Sequence, residues 1–161
     1  MVSASNVGKT TFTTPSDREF VTTRVFDAPR QLVWEAWTNP KHVPKWLLGP
    51  SGWTMPVCEI DLRPGGEWHF VWRNADGNEM EMRGTYREVR PPERLVNTER
   101  WGDAWPETVN TLVFADDGDR TLMTLTVLYP SKEARDAAMA TGMTSGMTES
   151  FDRLDAFLRS H

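Results

Sequence analysis

Apolar and polar residues alternate with a period of two over most of the chain, which is the spacing of half-buried β-strands. One such segment covers residues 19–26, and six more follow after residue 50, at 53–62, 67–73, 79–89, 94–101, 108–115 and 121–129. Polar stretches with glycine separate them, and two of these, 76–77 and 116–119, are typical of hairpin turns. The pattern therefore predicts a series of consecutive antiparallel strands.

Three other segments have the three-to-four-residue spacing of an amphipathic helix. The first follows Pro29 and ends near Asn39, the second is a short stretch at 40–46, and the third covers 132–159. Helices that are grouped apart from an antiparallel sheet define an α+β fold. We therefore expect a curved antiparallel sheet that wraps around a long C-terminal helix, with two short helices after the first strand.

The domain boundaries follow from the remaining residues. Residues 1–16 are rich in Thr, Ser and Asn, so we expect a flexible or weakly extended N-terminal leader rather than a signal peptide. Residues 17–161 are expected to form a single domain, because no linker or repeat divides them. No run approaches the roughly 20 consecutive apolar residues of a membrane span.

Charge and cysteine content narrow the functional classes. The formal net charge is −5 and the isoelectric point is about 5.2, whereas a nucleic-acid-binding surface needs a basic balance. Nucleic acid is therefore not an expected partner. A single cysteine, Cys58, allows no internal disulfide and favours a reducing, cytoplasmic location.

Eight tryptophans and eight methionines are the unusual feature of the composition. Alternation places many of them on one face of the predicted strands, and three methionines recur at every fourth residue of the predicted long helix. The residues expected to line the space between sheet and helix are Trp68, Phe70, Trp72, Met82, Tyr86, Asn110, Leu112, Met123, Leu125, Met139, Met143, Gly146 and Met147. A solid core and a ligand cavity both fit them, because both place the same residues inside.

Polar residues at inward positions are the candidates for chemistry in that space. They are Tyr86, Asn110, Glu99 and the indole N–H groups of Trp68 and Trp72. Each needs a hydrogen-bond partner when buried, and that partner is a protein group, a water or a ligand. No catalytic residues, metal site or cofactor are assigned, because the sequence has no nucleophile elbow, no metal-ligand spacing and no phosphate-binding loop.

Several short motifs together resemble the SRPBCC (START-like) superfamily, and within it the group named after the C-terminal domain of the activator of the heat-shock-protein-90 ATPase. They lie at 25–38, 61–66, 84–89, 92–96, 140–143 and 146–147. The resemblance implies the helix-grip fold, with a cavity between the curved sheet and the long helix. One departure lies at 46–50. The family usually has a pair of tryptophans before Gly-Pro, whereas this segment is one residue longer and has a single tryptophan, Trp46. In the family this loop often borders the cavity mouth.

Three functions are compatible with this sequence. The preferred one is binding of an unidentified small hydrophobic ligand in the cavity, because the inward face is apolar and no catalytic set is recognised. The second is an enzyme of the cyclase, dehydratase or hydrolase type, in which Tyr86 and Asn110 would position a substrate. The third is a chaperone-interaction module, which would use Trp53, Trp101 and Trp105 as an exposed apolar patch. A protein partner is possible, but the sequence does not identify it.

Overall fold

A computed structural model describes residues 7–160, and in this range eight strands form one antiparallel sheet accompanied by three α-helices. The strands are β1 (Thr11–Thr13), β2 (Glu19–Phe26), β3 (Trp53–Ile60), β4 (Glu67–Asn74), β5 (Glu79–Arg90), β6 (Arg94–Trp101), β7 (Thr108–Asp117) and β8 (Arg120–Leu128). The helices are α1 (Arg30–Thr38), α2 (Lys132–Met139) and α3 (Met143–Arg159), and a short 3-10 helix spans Val43–Lys45. The predicted α+β class with a curved antiparallel sheet is confirmed.

The order of strands across the sheet places β2 beside the last strand, β8. The order is β1-β2-β8-β7-β6-β5-β4-β3, so β2 pairs with the last strand, with Phe20 opposite Val127. The hairpin turns have the expected chemistry, since Gly77 and Gly118 adopt φ values of 83° and 65°. That left-handed region is readily available to glycine and costly for other residues.

The segment expected to be a flexible leader contributes a strand. β1 pairs with β2, with Thr11 opposite Thr23, and the ring of Phe12 stacks on Phe20 with 5.6 Å between centroids. Threonines and an apolar ring therefore add a short extended strand to the edge of β2 at residues 11–13. Residues 1–6 lie outside the described residues, and the boundary of the domain stays a prediction.

The predicted long C-terminal helix is wrong, because the segment is two helices. Ser131 caps α2, its hydroxyl accepting the Ala134 N–H at 3.1 Å. The chain then turns at Gly142, whose φ of 78° is incompatible with a continuous helix. Met139 and Met143 consequently lie on different helices. In residues 7–160, none of the helices is long and apolar enough to span a membrane.

The core lies between the concave face of the sheet and α1 and α3. Its largest fully buried side chains include Trp46, Phe26, Phe114 and Phe151. Trp46 also donates its indole N–H to the carbonyl oxygen of Ala36 at 2.9 Å, which fixes the chain after α1. This core positions α3 against the sheet.

Candidate ligand-binding site

Most of the aromatic residues predicted to line a cavity pack tightly against one another. The ring centroids of Trp68 and Phe70 are 4.9 Å apart, and those of Phe70 and Trp72 are 5.9 Å apart. They share one buried cluster with further predicted lining residues, namely Met82, Tyr86, Leu112 and Met123. In this part of the interior, the arrangement is that of a packed core.

The two indole N–H groups that we singled out are in different situations. Trp72 donates to the carbonyl oxygen of Leu47 at 2.7 Å, so the protein satisfies it. The Nε1 atom of Trp68 is buried without a hydrogen-bond partner among the described residues. It lies over Gly84, where an added Cβ would be 2.8 Å from it and 1.8 Å from the Thr98 carbonyl oxygen.

The loop at 46–50, where the sequence departs from the family pattern, contacts α3. The backbone N–H of Gly49 donates to the Ser150 hydroxyl at 2.8 Å. A Cβ added at Gly146 would lie 3.3 Å from Pro50 Cδ. Gly146 therefore allows this loop to approach the helix.

A second part of the concave face is polar, and several of its side chains are only half-buried. We call it the interior recess, and it is formed by Thr22 of β2, Glu99 of β6, Thr108 and Asn110 of β7, Leu125 and Val127 of β8, the adjoining Tyr129, and Met143 and Met147 of α3. The strand register places these side chains together, with Thr22 opposite Leu125, Asn110 opposite Val127 and Glu99 opposite Thr108. Facing residues in an antiparallel pair lie on the same side of the sheet.

Hydrogen bonds hold the Glu99 carboxylate in the recess. Asn110 donates its side-chain amide to Glu99 Oε2, and Trp101 donates its indole N–H to Glu99 Oε1 at 2.6 Å. The Thr108 hydroxyl donates to Asn110 Oδ1 at 3.3 Å. Glu99 and Asn110, two of the polar residues expected to face inward, are therefore neighbours in one network.

The other polar groups of the recess are poorly partnered. The Thr22 side chain is fully buried, and its hydroxyl has no hydrogen-bond partner among the described residues. The Tyr129 hydroxyl lies 4.0 Å from the thioether sulfur of Met143, which is a weak acceptor. Buried polar atoms normally have a hydrogen-bond partner, so the Thr22 hydroxyl is an exception and the Tyr129 hydroxyl has only a weak acceptor.

The methionine stripe expected along one helix is divided between two. Met139 ends α2 and is 38% exposed, so it lies outside the interior, contrary to the expectation. Met143 and Met147 of α3 are half-buried and pack near Tyr129 and Phe20. The i, i+4, i+8 spacing predicts one common face only in an unbroken helix, and Gly142 interrupts the helix here.

Burial shifts the pKa of several acidic groups on the concave face. It raises the pKa of Glu99 above its ordinary value, and the hydrogen bonds from Asn110 and Trp101 oppose that rise. Burial and the nearby Glu99 charge raise the pKa of Tyr129 to about 12. Burial also raises the pKa of Cys58 to about 11 and that of Tyr86 well above its ordinary range. All four groups therefore favour the protonated form more than they do in water.

Sequence reasoning missed Thr22 and Tyr129. Thr22 shares the inward parity of Phe20 and Arg24 on a strand that the pattern did identify. Tyr129 continues the inward parity of Val127 at the end of the last strand. Both could have been found by extending the period-two alternation to every polar residue of the outer strands.

The three tryptophans predicted to form an exposed patch differ in their exposure and in their contacts. Trp101 is 36% exposed and stacks on Trp72, with 5.3 Å between centroids and 14° between ring planes. Trp105 is 37% exposed in the loop between β6 and β7, and Trp53 begins β3 half-buried. Trp101 therefore belongs to the margin of the interior recess.

A cavity of about 260 Å³ opens near the end of α3. Its lining residues are Val7, Gly8, Asp27, Asp155, Leu158 and Arg159. None of the residues predicted to contact a ligand lines it.

An antiparallel sheet curved around a C-terminal helix, with side chains of both facing one interior, defines the helix-grip class of α+β domains. Residues 27–159 match the family described as activator of Hsp90 ATPase homolog 1-like protein. The chain belongs to this family, as its motifs indicated. No curated protein matches the chain.

Solved structures similar to this chain come from several bacteria. A protein from Rhodobacter sphaeroides is 30% identical, with a TM-score of 0.90 over 94% of this chain and 99% of that chain. A protein from Mycobacterium smegmatis is 23% identical, with a TM-score of 0.80 over 92% and 97%. The AHSA1 protein from Silicibacter pomeroyi is 21% identical, with a TM-score of 0.74 over 89% and 99%. The last two support the fold alone.

Proposed function

We propose that this protein binds a small, mainly apolar molecule in the interior recess, between the concave face of the sheet and α3. The family's fold, an antiparallel sheet gripping a helix, provides a concave interior of this kind. Ligand sites are typically concave and mainly apolar, with a few polar groups that orient the ligand. The recess has this composition.

The observation that carries the proposal is the order of exposure along β8. Met123 is fully buried and Tyr129 is 7% exposed, but Leu125 and Val127, which lie between them on the same face, are only half-buried. In a solidly packed interior the central residues of a strand would be the most buried. The reversal supports a hollow above the middle of the strand.

The helical side of the recess suits an adaptable site. Met143 and Met147 are half-buried there, directly after the turn at Gly142. Methionine side chains are flexible and polarizable, so they adjust to occupants of different shape. The weakly partnered hydroxyl of Tyr129 would orient such an occupant.

Native mass spectrometry of freshly purified protein, followed by organic extraction, tests for a retained ligand. Titration with the neutral apolar dye N-phenylnaphthylamine tests the empty site. We expect a retained small molecule or saturable dye binding at one site per chain. If the protein retains no molecule and shows no saturable dye binding, the proposal is wrong.

A pair of variants locates the binding in the recess. Val127→Phe fills the hollow from the concave face, whereas Thr126→Phe places the same ring on the opposite face of β8. We expect Val127→Phe to weaken dye binding at least tenfold while the melting temperature is maintained, and Thr126→Phe to leave dye binding unchanged. A large fall in the melting temperature of Val127→Phe would instead indicate a packed core, because overpacking destabilises a filled interior.

A second candidate function is catalysis of proton transfer in the same recess. It is favoured by Glu99, whose raised pKa and fixed hydrogen bonds resemble those of general acids and bases. If the protein is an enzyme, incubating it with the extracted ligand changes the mass or the chromatographic position of that ligand. Glu99→Gln should abolish this change. If the unmodified protein leaves the ligand unchanged, the catalytic function is contradicted and binding is the only function proposed for the recess.

A further inference from the structure

The Glu99 carboxylate has an incomplete set of partners among residues 7–160. One carboxylate oxygen accepts the Asn110 amide and the other accepts the Trp101 indole N–H, and both donors are neutral. Among residues 7–160, no lysine, arginine or histidine forms an ion pair with Glu99. Each oxygen keeps further lone-pair capacity, because a carboxylate accepts about four hydrogen bonds.

A buried acid elsewhere in this interior has the cation that Glu99 lacks. Asp155 of α3 is ion-paired with the buried guanidinium of Arg24. Buried carboxylates are normally paired in this way, because an uncompensated charge is costly away from water. Glu99 is half-buried on the same concave face, and a cation brought by a ligand would provide the missing compensation.

Aromatic rings stand beside the carboxylate. Trp101 donates to Glu99 and stacks on Trp72, and the charge of Glu99 acts on the buried Tyr129. The faces of Trp and Tyr rings attract ammonium groups, most strongly where water is excluded. A carboxylate with aromatic rings nearby is a combination that suits an organic cation.

We infer that the ligand of the interior recess is an amphiphilic amine, whose ammonium group pairs with Glu99 while its apolar body lies over Leu125 and Val127. This inference rests on the proposed function, since it names the chemical class that the same recess would take. The apolar body accounts for the half-buried aliphatic side chains, and the ammonium group accounts for the acid without a cation.

Three probes of similar shape test the charge preference: phenylbutylamine, phenylbutanol and phenylbutyrate. Their affinities are measured by calorimetry and by displacement of N-phenylnaphthylamine from the full-length chain. We expect the amine to bind at least about tenfold tighter than the alcohol, and the carboxylate to bind weakest, because a charge-assisted hydrogen bond is stronger than a neutral one. This comparison within the unmodified protein does not depend on any variant.

Two variants then locate the preference. Glu99→Gln should remove the amine's advantage and leave affinity for the alcohol within about twofold, because the side chain keeps its size and one of its two accepted hydrogen bonds. Glu107→Gln removes the same formal charge from an exposed position between β6 and β7 and should keep the preference. Dye binding by Glu99→Gln shows that the recess remains folded.

The outcomes separate this inference from the proposed function. If the dye binds but the alcohol or the carboxylate matches the amine, the recess is a ligand site for another chemical class and the inference is wrong. If the amine's advantage survives Glu99→Gln, the inference is also wrong, because the cation is recognised elsewhere. Failure of the dye and all three probes to bind contradicts both proposals.

Discussion

The guanidinium of Arg24 on β2 is ion-paired with the carboxylate of Asp155 on α3, and both side chains are almost completely buried. The same guanidinium lies 2.9 Å from Asp152, which is mainly exposed. It also donates to the Thr10 hydroxyl at 2.8 Å, so the segment before β1 shares in the network. This arrangement fixes α3 to the outer part of the sheet.

Asp155→Asn should destabilise the protein strongly. The substitution leaves the buried Arg24 guanidinium without its nearest anion, and removing one member of a buried pair typically costs about 3–5 kcal/mol. Asp152→Asn is the matched control, and it should cost less than about 1 kcal/mol because that carboxylate is exposed. Urea unfolding followed by tryptophan fluorescence gives both free energies, and equal effects would refute a special role for Asp155.

Gly84 on β5 should not tolerate a side chain. A Cβ at this position would lie 1.8 Å from the Thr98 carbonyl oxygen, and that backbone atom cannot move without disturbing the pairing of β5 and β6. Gly84→Ala is therefore expected to cost at least about 3 kcal/mol, or to prevent folding, because overpacked interiors resist added volume.

Gly146→Ala provides the comparison for Gly84. Its added Cβ would lie 3.3 Å from Pro50 Cδ, and alanine favours the helix by about 1 kcal/mol relative to glycine. The net change in the free energy of unfolding should therefore stay within about 1 kcal/mol. A Gly84→Ala protein as stable as Gly146→Ala would show that β5 and β6 are less closely packed than the structure indicates.

Trp101 and Trp105 are almost equally exposed, but only Trp101 has defined contacts with the interior. Trp101→Ala removes the stack on Trp72 and a hydrogen bond to Glu99, so we expect a loss of about 1–3 kcal/mol. Trp105→Ala should change stability by less than about 0.5 kcal/mol. Thermal unfolding of both variants checks this, and equal losses would contradict the contacts assigned to Trp101.

The strands were predictable from sequence because alternation is a local property. Each strand from β3 to β8 lies within about two residues of its predicted bounds. The interior recess was only partly predictable, since the neighbouring positions of Glu99 and Asn110 depend on the register of β6 and β7. The register of two paired strands, which also places Thr22 opposite Leu125, depends on residues that are distant in sequence. The pattern of a single strand carries no information about this register.

The break in the C-terminal helix illustrates a different limit. The spacing of Met139, Met143 and Met147 fits one helix, but a left-handed glycine at 142 redirects the chain between the first two. Glycine within a helical pattern signals either a tolerated position or an end, and the surrounding packing decides which. Here the loop at Gly49 and Pro50 packs against α3 beyond the break.

Cys58 should react slowly with alkylating reagents in the folded protein. Burial raises its pKa to about 11, so only on the order of one thiol in a thousand is ionised near pH 8, and the thiolate is the nucleophile. Iodoacetamide labelling followed by mass spectrometry should be at least about 100-fold slower in buffer than in urea. Rapid labelling without denaturant would indicate that the concave face opens readily near β3.

Glu99 should give the protein a pH dependence of stability that Glu99→Gln lacks. The folded-state pKa of Glu99 is raised above the ordinary 4.5, so between these two values the folded protein holds a proton that the unfolded chain has released. Stability linked to Glu99 is therefore fully present below about pH 4.5 and declines as the pH rises through the folded-state pKa. The exposed acids Glu81, Glu88 and Asp136 have lowered pKa values and act in the opposite direction, which makes the difference between variants the informative quantity.

Urea unfolding from about pH 4 to pH 8 should show Glu99→Gln gaining stability relative to the unmodified protein as the pH rises, whereas Glu107→Gln follows the unmodified protein. Parallel curves for Glu99→Gln and the unmodified protein would mean that water reaches the carboxylate freely, and the recess would then be an open surface rather than an interior site.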